Sequence, residues 1–335
     1  MSAWTVAIGV DTHRDTHTAV ALDRLGRVLG VLELSADAEG YARLLGWSRS
    51  LGRPAFALEG SGSYGLGLAR FLSEAGGEVY EVERPTRRDR RRGKSDRRDA
   101  ELAAHRLVRG EGLAHLRGFG ERERLRALLA ERRSGRQAYV AALNQLHALV
   151  IAAPPSLRDR LEQLQGERLA RAAIRLRSRE ATIIRRLAGR ALRLAAETAL
   201  IDRELEQSLR TLAPELLNEP GVGPVCAAQL LVSAGEPARM RSEAAFAALA
   251  GVSPVEASSG RIHRHRLNRG GDRQLNAALH RIALQRSRIH PETIGYTERL
   301  LARGKSKREA LRCVKRALAR HFYRKLIELP PPTPN

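Results

Sequence analysis

The chain has 335 residues, 43% of them hydrophobic, and carries 59 Lys and Arg against 37 Asp and Glu, for a formal net charge of +22 and a pI near 11.3. That length suits two domains or more, and that hydrophobic content excludes wholesale disorder. The charge points to nucleic acid or an anionic membrane, and no apolar run approaches the ~20 residues of a membrane span, which leaves nucleic acid.

The opening MSAWTVAIGVDTHRD lacks the charged lead and long apolar core of a leader, so a cytoplasmic protein is expected. Cys226 and Cys313 are lone thiols without C-x-x-C spacing, which indicates neither a disulfide framework nor a thiolate zinc site. The ten histidines are scattered, and His263 and His265 read as phosphate or solvent contacts. Aromatic content of 4% argues against the stacking platforms of single-strand binders.

From Val6 to Leu34 the apolar runs VAIGV, TAVALD and RVLGVLEL predict three short strands, with Asp23 to Gly26 as a hairpin turn. A helix from Asp37 to Ser50 turns Tyr41, Leu44, Leu45 and Trp47 inward. PAFALEGSG is a fourth strand, followed by a helix through Phe71 and Leu72, and EVYEV is a fifth. The predicted order is β-β-β-α-β-α-β-α.

The fifth strand leads into VERPTRRDRRRGKSDRRDAELAAHRL, which has nine Lys or Arg between Arg84 and Arg98. Arg84, Arg87, Arg88, Arg90, Arg91, Arg92, Lys94 and Arg97 make a field for phosphate. Asp96 and Asp99 sit inside it at i, i+3, on one face of the helix they open. Carboxylates weaken simple phosphate binding, and a divalent metal bridging them to phosphate oxygens gives them a reason to be there. The plainer alternative makes Asp96 the N-cap and Asp99 a first-turn residue favoured by the macrodipole.

Asp11 closes the first strand and Glu59 the fourth. If those strands lie side by side, both acids converge with Asp96 and Asp99 on one edge, where four carboxylates can hold two ions ~4 Å apart for phosphoryl transfer. Singly, each acid also reads as a turn or solvated strand end.

The segments VAIGVDTHRDTHTAVAL, ALEGSGSYGLGLARFL and GKSDRRDAELAAHRL resemble the N-terminal domain of DEDD-type insertion-sequence transposases, whose fold is RNase H-like and related to RuvC resolvases. That resemblance implies an α/β catalytic domain over 1–112 with Asp11, Glu59, Asp96 and Asp99 as a Mg²⁺ (or Mn²⁺) tetrad. Where many members carry a lysine shortly after the first Asp, this chain reads His13-Arg14, and Arg14 keeps the charge with a different geometry.

From Glu121 to about Leu212 the sequence is helical and highly charged. Leu125, Leu128, Leu129, Val140, Leu143, Leu146, Leu149 and Val150 mark one apolar stripe, broken by APPS. Ile183, Ile184, Leu187, Leu192, Leu194 and Leu200 mark another. Two long amphipathic helices predict an antiparallel pair or a dimerising coiled coil, here assigned 113–212.

A mostly α domain over 213–328 opens with EPGVGPVCAAQLLVSAG, whose turn matches a helix-hairpin-helix type element, with Gly221 and Gly223 amides facing a phosphate. An ordinary helix-initiating turn explains it equally. FAALAGVSPVEASSGRIHRHRLNRGGDRQLNAALHRIALQ follows, with Arg261, Arg264, Arg266 and Arg269 as phosphate contacts. By chemistry alone a serine in its Ser-Ser-Gly turn is a cap or loop residue. The block resembles the C-terminal domain of the same transposase family, which implies that Ser259, before Gly260, is a nucleophile, with Gly271-Asp272 and Leu275 completing the pattern. Ser258 is adjacent, and Asn276 stands where an arginine is common. A basic helix from Arg303 to Lys325 with Leu311, Val314, Leu318 and Phe322 inward precedes a Pro-rich tail, 329–335.

The resemblance as a whole implies a bacterial or archaeal, nucleoid-associated DNA recombinase. It would cut and rejoin DNA through a phosphoserine intermediate, as a dimer and as a tetramer on DNA, guided by a structured RNA. A junction resolvase with the tetrad but no serine chemistry is the alternative.

Overall fold

A computed structural model describes residues 4–82, 95–116, 119–235, 240–256, 265, 266, 268 and 270–329. It divides into two compact units, Met1–Phe119 with Gly235–Arg241, and Gly120–Ala234 with Ser242–Asn335. Among the described residues, no helix is long and apolar enough to cross a membrane.

The first unit runs β1 (Val6–Thr12), β2 (Thr16–Leu22), β3 (Val28–Ser35), α1 (Ala38–Leu51), β4 (Pro54–Glu59), α2 (Leu66–Glu74), β5 (Glu78–Val82) and α3 (Asp96–Arg109), as the periodicity predicts. A sixth strand, β6 (Leu113–His115), pairs antiparallel with β5 and had no period to announce it, being three residues long. The sheet order is β3-β2-β1-β4-β5-β6. β1 pairs antiparallel with β2 and parallel with β4, so the first and fourth strands are neighbours.

Side chains alternate across these strands. Val6, Ile8, Val10, Phe56 and Leu58 pack with α1 and α2 on one face. On the other, Ala7, Ala55 and Ala57 meet Ala100, Ala103, Ala104 and Leu107 of α3. The small residues there let α3 lie close to β1. A Cβ on Gly9 would stand 2.0 Å from the Ala100 carbonyl oxygen and 2.3 Å from the Ala104 nitrogen, so the helix backbone itself occupies the space. Gly9→Ala must lift α3 off the sheet. Overpacking of this kind is expected to destabilise by about 3 kcal/mol, read as a lower midpoint in denaturant unfolding. A midpoint equal to wild type would show that α3 does not depend on this approach.

In the second unit, α4 (Glu121–Ile151) and α7 (Thr182–Leu212) pack along one another. Arg132 pairs with Asp202 and Arg124 with Glu204 at 3.6 Å, so numbering falls on one helix as it rises on the other and the pair is antiparallel. α5 (Pro155–Leu161) and α6 (Gly166–Ala173) lie between them in sequence and close the same apolar cluster. Three stripe residues are not inside: Val140 is 42% exposed, Ile183 62% and Leu200 55%. Tyr139, Ile184, Ala188 and Ala191 take the inner positions. On helices of 31 residues a stripe drifts around the axis, and small alanines at the closest approach leave no apolar signal of their own.

The chain continues through α8 (Pro214–Leu217), α9 (Pro224–Ala234), α10 (Glu243–Leu249), β7 (Val255–Glu256), β8 (His265–Arg266), α11 (Arg273–Ile289), α12 (Pro291–Ala302) and α13 (Lys307–Glu328). α9 is apolar on nearly every side because it is enclosed by α4, α7 and α11. Val314, Leu318 and Phe322 of α13 are buried, as expected, with Leu311 at the margin.

Candidate functional site

Asp11 and Glu59 stand at the ends of neighbouring parallel strands, one step beyond the Val10–Leu58 pairing. Both share the face of Ala7 and Ala57, which is the face covered by α3. The hydroxyl of Thr12 donates to the Glu59 backbone oxygen at 2.6 Å and ties the two strand ends together. Asp11 is 7% exposed and Glu59 9%.

α3 brings the other two acids. Its N-cap is Ser95, whose hydroxyl accepts from the Arg98 N–H at 3.3 Å, so Asp96 is not the cap and lies in the first turn. Two acids in a first turn complement the helix dipole. Asp99 is buried at 5%, whereas the Asp96 side chain is 57% exposed. Gly9 lets this helix end rest against β1.

Between the acids lies a residue that the sequence reading passed over. The His13 ring has Nδ1 3.8 Å from Asp11 Oδ2 and Nε2 3.9 Å from Asp96 Oδ1. Arg14, read as the residue keeping the positive charge, is instead 82% exposed and faces Asp15. The signal was alternation: a residue two past Asp11 shares its face, and one three past does not. The His13 N–H donates to the Thr16 carbonyl at 3.1 Å and lies 3.3 Å from His17 Nδ1. Burial holds His17 below the ordinary histidine pKa, and its ring stacks on Tyr41. A packed ring thus supports the turn that carries His13.

Among the described residues, Asp11, His13 and Asp96 each offer one ligand atom, all within 4.8 Å of one another. Two carboxylates and an imidazole, with Asp96 open to solvent, form a donor set that fits a divalent cation and leaves coordination positions for oxygens of another molecule. Glu59 and Asp99 lie outside that trio, on the same face of the sheet and the same helix turn.

Of the predicted phosphate contacts, Arg97 is exposed on α3 and lines an open cleft with Arg98 and His105. Arg84, Arg87, Arg88, Arg90, Arg91, Arg92 and Lys94 lie outside the described residues, as do Ser258, Ser259, Gly260, Arg261, Arg264 and Arg269. The strands flanking the serine segment pair Val255 with Arg266 and Glu256 with His265.

The residues around that segment are described. Gly271 has φ +98°, and a Cβ there would meet the Leu249 carbonyl oxygen at 2.5 Å, so only glycine fits. Asp272 caps α11 by accepting from the Gln274 and Leu275 amides, and accepts from the Ser233 hydroxyl at 2.5 Å. Asn276 donates to the Ala250 carbonyl and accepts from Lys315, so it braces this region internally. Burial lowers the pKa of Lys315.

In the turn between α8 and α9, Gly221 has φ +74° and approaches Gln285 and Arg286 of α11, while Gly223 faces open space. Beneath it, Glu219 meets Arg286 at 2.5 Å, His321 at 2.8 Å and Lys325 at 3.1 Å. Burial pushes the Glu219 carboxyl up, but hydrogen bonds from His321, Lys325 and Arg286 outweigh it and bring the pKa down to about 2.

Residues 8–154 match a family model described as "Transposase", of the DEDD type of insertion element IS110. Residues 213–298 match another, "Transposase IS116/IS110/IS902 family". Over 101 residues the chain is 40% identical to the "Insertion element IS110 uncharacterized 43.6 kDa protein" of Streptomyces coelicolor. The match takes in 30% of this chain and spans about a quarter, 25%, of that relative's length. With acids at adjacent strand ends facing an acid-bearing helix, and both family models matched in sequence order, the chain belongs to the IS110/IS116/IS902 family of DEDD-type transposases.

Proposed function

We propose that the protein is an insertion-sequence transposase that cleaves and rejoins DNA through a phosphoserine intermediate on Ser259, with Asp11, Glu59, Asp96 and Asp99 as its metal-binding carboxylates. The observation that carries this reading is the edge where β1, β4 and the start of α3 bring acids together, in a chain that matches both transposase models. The strand order β3-β2-β1-β4-β5, with the first three antiparallel and the next two parallel, supports an RNase H-like fold.

In this reading DNA is held by the basic segment from Arg84 to Arg97 and by Arg261, Arg264, Arg266 and Arg269, with Gly221 and Gly223 amides as further phosphate contacts. Ser259 Oγ attacks a DNA phosphorus, the phosphoserine bond forms, and the sugar oxygen departs with the bond pair. A strand hydroxyl then attacks the same phosphorus and returns the serine oxygen. Bound Mg²⁺ would supply charge stabilisation on phosphate oxygens and the leaving group. Asp11 and Asp96 would orient that charge at the sheet edge. Ser259 is some 160 residues from Asp99, so folding or a partner protomer must unite them. The antiparallel α4–α7 pair, with Val140, Ile183 and Leu200 outward, is the surface we assign to dimerisation, with a tetramer on DNA and an element-encoded RNA as guide.

The test is a protease-sensitive protein–DNA adduct, sought with the native flanking DNA, target and transcript supplied. Wild type is expected to form it and Ser259→Ala to form none. Cutting by both proteins without an adduct would replace this reading with a resolvase-like nuclease.

A further inference from the structure

His13 is the side chain nearest to joining the acids, and its distances define what it can do there. At 3.8 and 3.9 Å its two nitrogens are too far from the Asp11 and Asp96 oxygens for hydrogen bonds. They are not too far to share an ion. Bonds to Mg²⁺ run ~2.1 Å, so two donors of one octahedral ion sit ~3 Å apart at right angles and ~4.2 Å apart when opposed. One ligand atom from each of Asp11, His13 and Asp96 lies within 4.8 Å of the others, so a small turn of the His13 ring brings one of its nitrogens to an ion held by the two carboxylates. The backbone of His13 is anchored to Thr16 and His17, and the ring is 47% exposed, so it can turn about its own side-chain bonds without disturbing the strand.

We propose that His13 is a nitrogen ligand to the ion held by Asp11 and Asp96, and that it tilts this site toward Mn²⁺ over Mg²⁺. The inference rests on the metal reading above. Mg²⁺ is a hard ion that gains little from imidazole, whereas affinity for nitrogen donors rises through Mn²⁺ and the later metals.

Full-length protein would be titrated with Mn²⁺ alone, followed by electron paramagnetic resonance, with Mg²⁺ affinity read by competition. Pulsed measurements are expected to detect coupling from a directly bound imidazole nitrogen in wild type and none in His13→Ala. Mn²⁺ affinity should fall about tenfold in the variant and Mg²⁺ affinity by less than about twofold. His13 is on an exposed turn, so the unfolding midpoint should be unchanged. Bound Mn²⁺ without nitrogen coupling in wild type, or coupling that survives in His13→Ala, overturns the role of His13 and leaves the carboxylate site standing. Equal Mn²⁺ binding by wild type and Asp11→Asn would bring down the metal reading itself, and His13 with it.

Discussion

Asp11→Asn is expected to slow DNA cleavage by at least about 10³-fold, roughly 4 kcal/mol of lost transition-state stabilisation, while DNA binding persists or tightens. The asymmetry follows from where the acid sits. Asp11 is 7% exposed at the end of β1, beside Glu59 on the neighbouring strand and within reach of His13 and Asp96. Asn keeps the shape, and the strand pairing with Thr18 is a backbone matter, so the fold should survive. What is lost is the formal charge that would hold a cation against phosphate. The net charge of +22 carried by the rest of the chain remains to hold a polyanion, so binding survives the change. A solvated strand-end acid would behave differently, because its loss would leave cleavage within a few-fold of wild type. Paired rate and affinity measurements on Asp11→Asn therefore decide between the two. Asp96→Asn should follow the same pattern, since its carboxylate is the one open to solvent.

Much of this edge was legible because the sheet obeys local rules. Alternating apolar runs with turn residues between them define five strands, and acids at their ends stand out against Ala and Val. Other features have no local signature. Ser95 outcompetes Asp96 as the cap because its hydroxyl reaches the Arg98 amide, a choice that the acidic pair obscured. Val140, Ile183 and Leu200 face outward while their neighbours Tyr139, Ile184 and Ile201 are buried, and alanines such as Ala142, Ala188 and Ala191 complete the inner face without an apolar signal of their own. The pattern Gly271-Asp272-Leu275 is explained by turn, cap and core: a positive φ, two amides capped and a fully buried leucine. Contacts from far along the chain were the least visible. Nothing near Glu219 in the sequence marks it as the centre of an ion cluster, because its partner His321 lies 102 residues away.

Those distant contacts set a stability effect as large as that of the Gly9 approach. Glu219→Gln should destabilise the protein by about 3 kcal/mol, the scale for breaking a buried ion pair from one side. The Arg286 side chain is only 6% exposed; it donates to the Pro220 carbonyl at 2.7 Å and stacks on Phe322, so it cannot swing into water when its counter-charge is removed. His321 and Lys325 meet the same carboxylate, which leaves two cations and an imidazole facing a neutral amide. Arg286→Met in the Glu219→Gln background should recover part of the loss, because an apolar side chain on Phe322 needs no partner. The pH dependence carries the same signature. The Glu219 carboxyl titrates at about 2 when folded against an ordinary 4.5, so on acidification the unfolded chain takes up the proton first. The contribution is complete above 4.5 and fades as pH falls toward 2, a slope that Glu219→Gln should lack. Parallel losses with acid in both proteins would show that other carboxylates, not Glu219, govern acid unfolding.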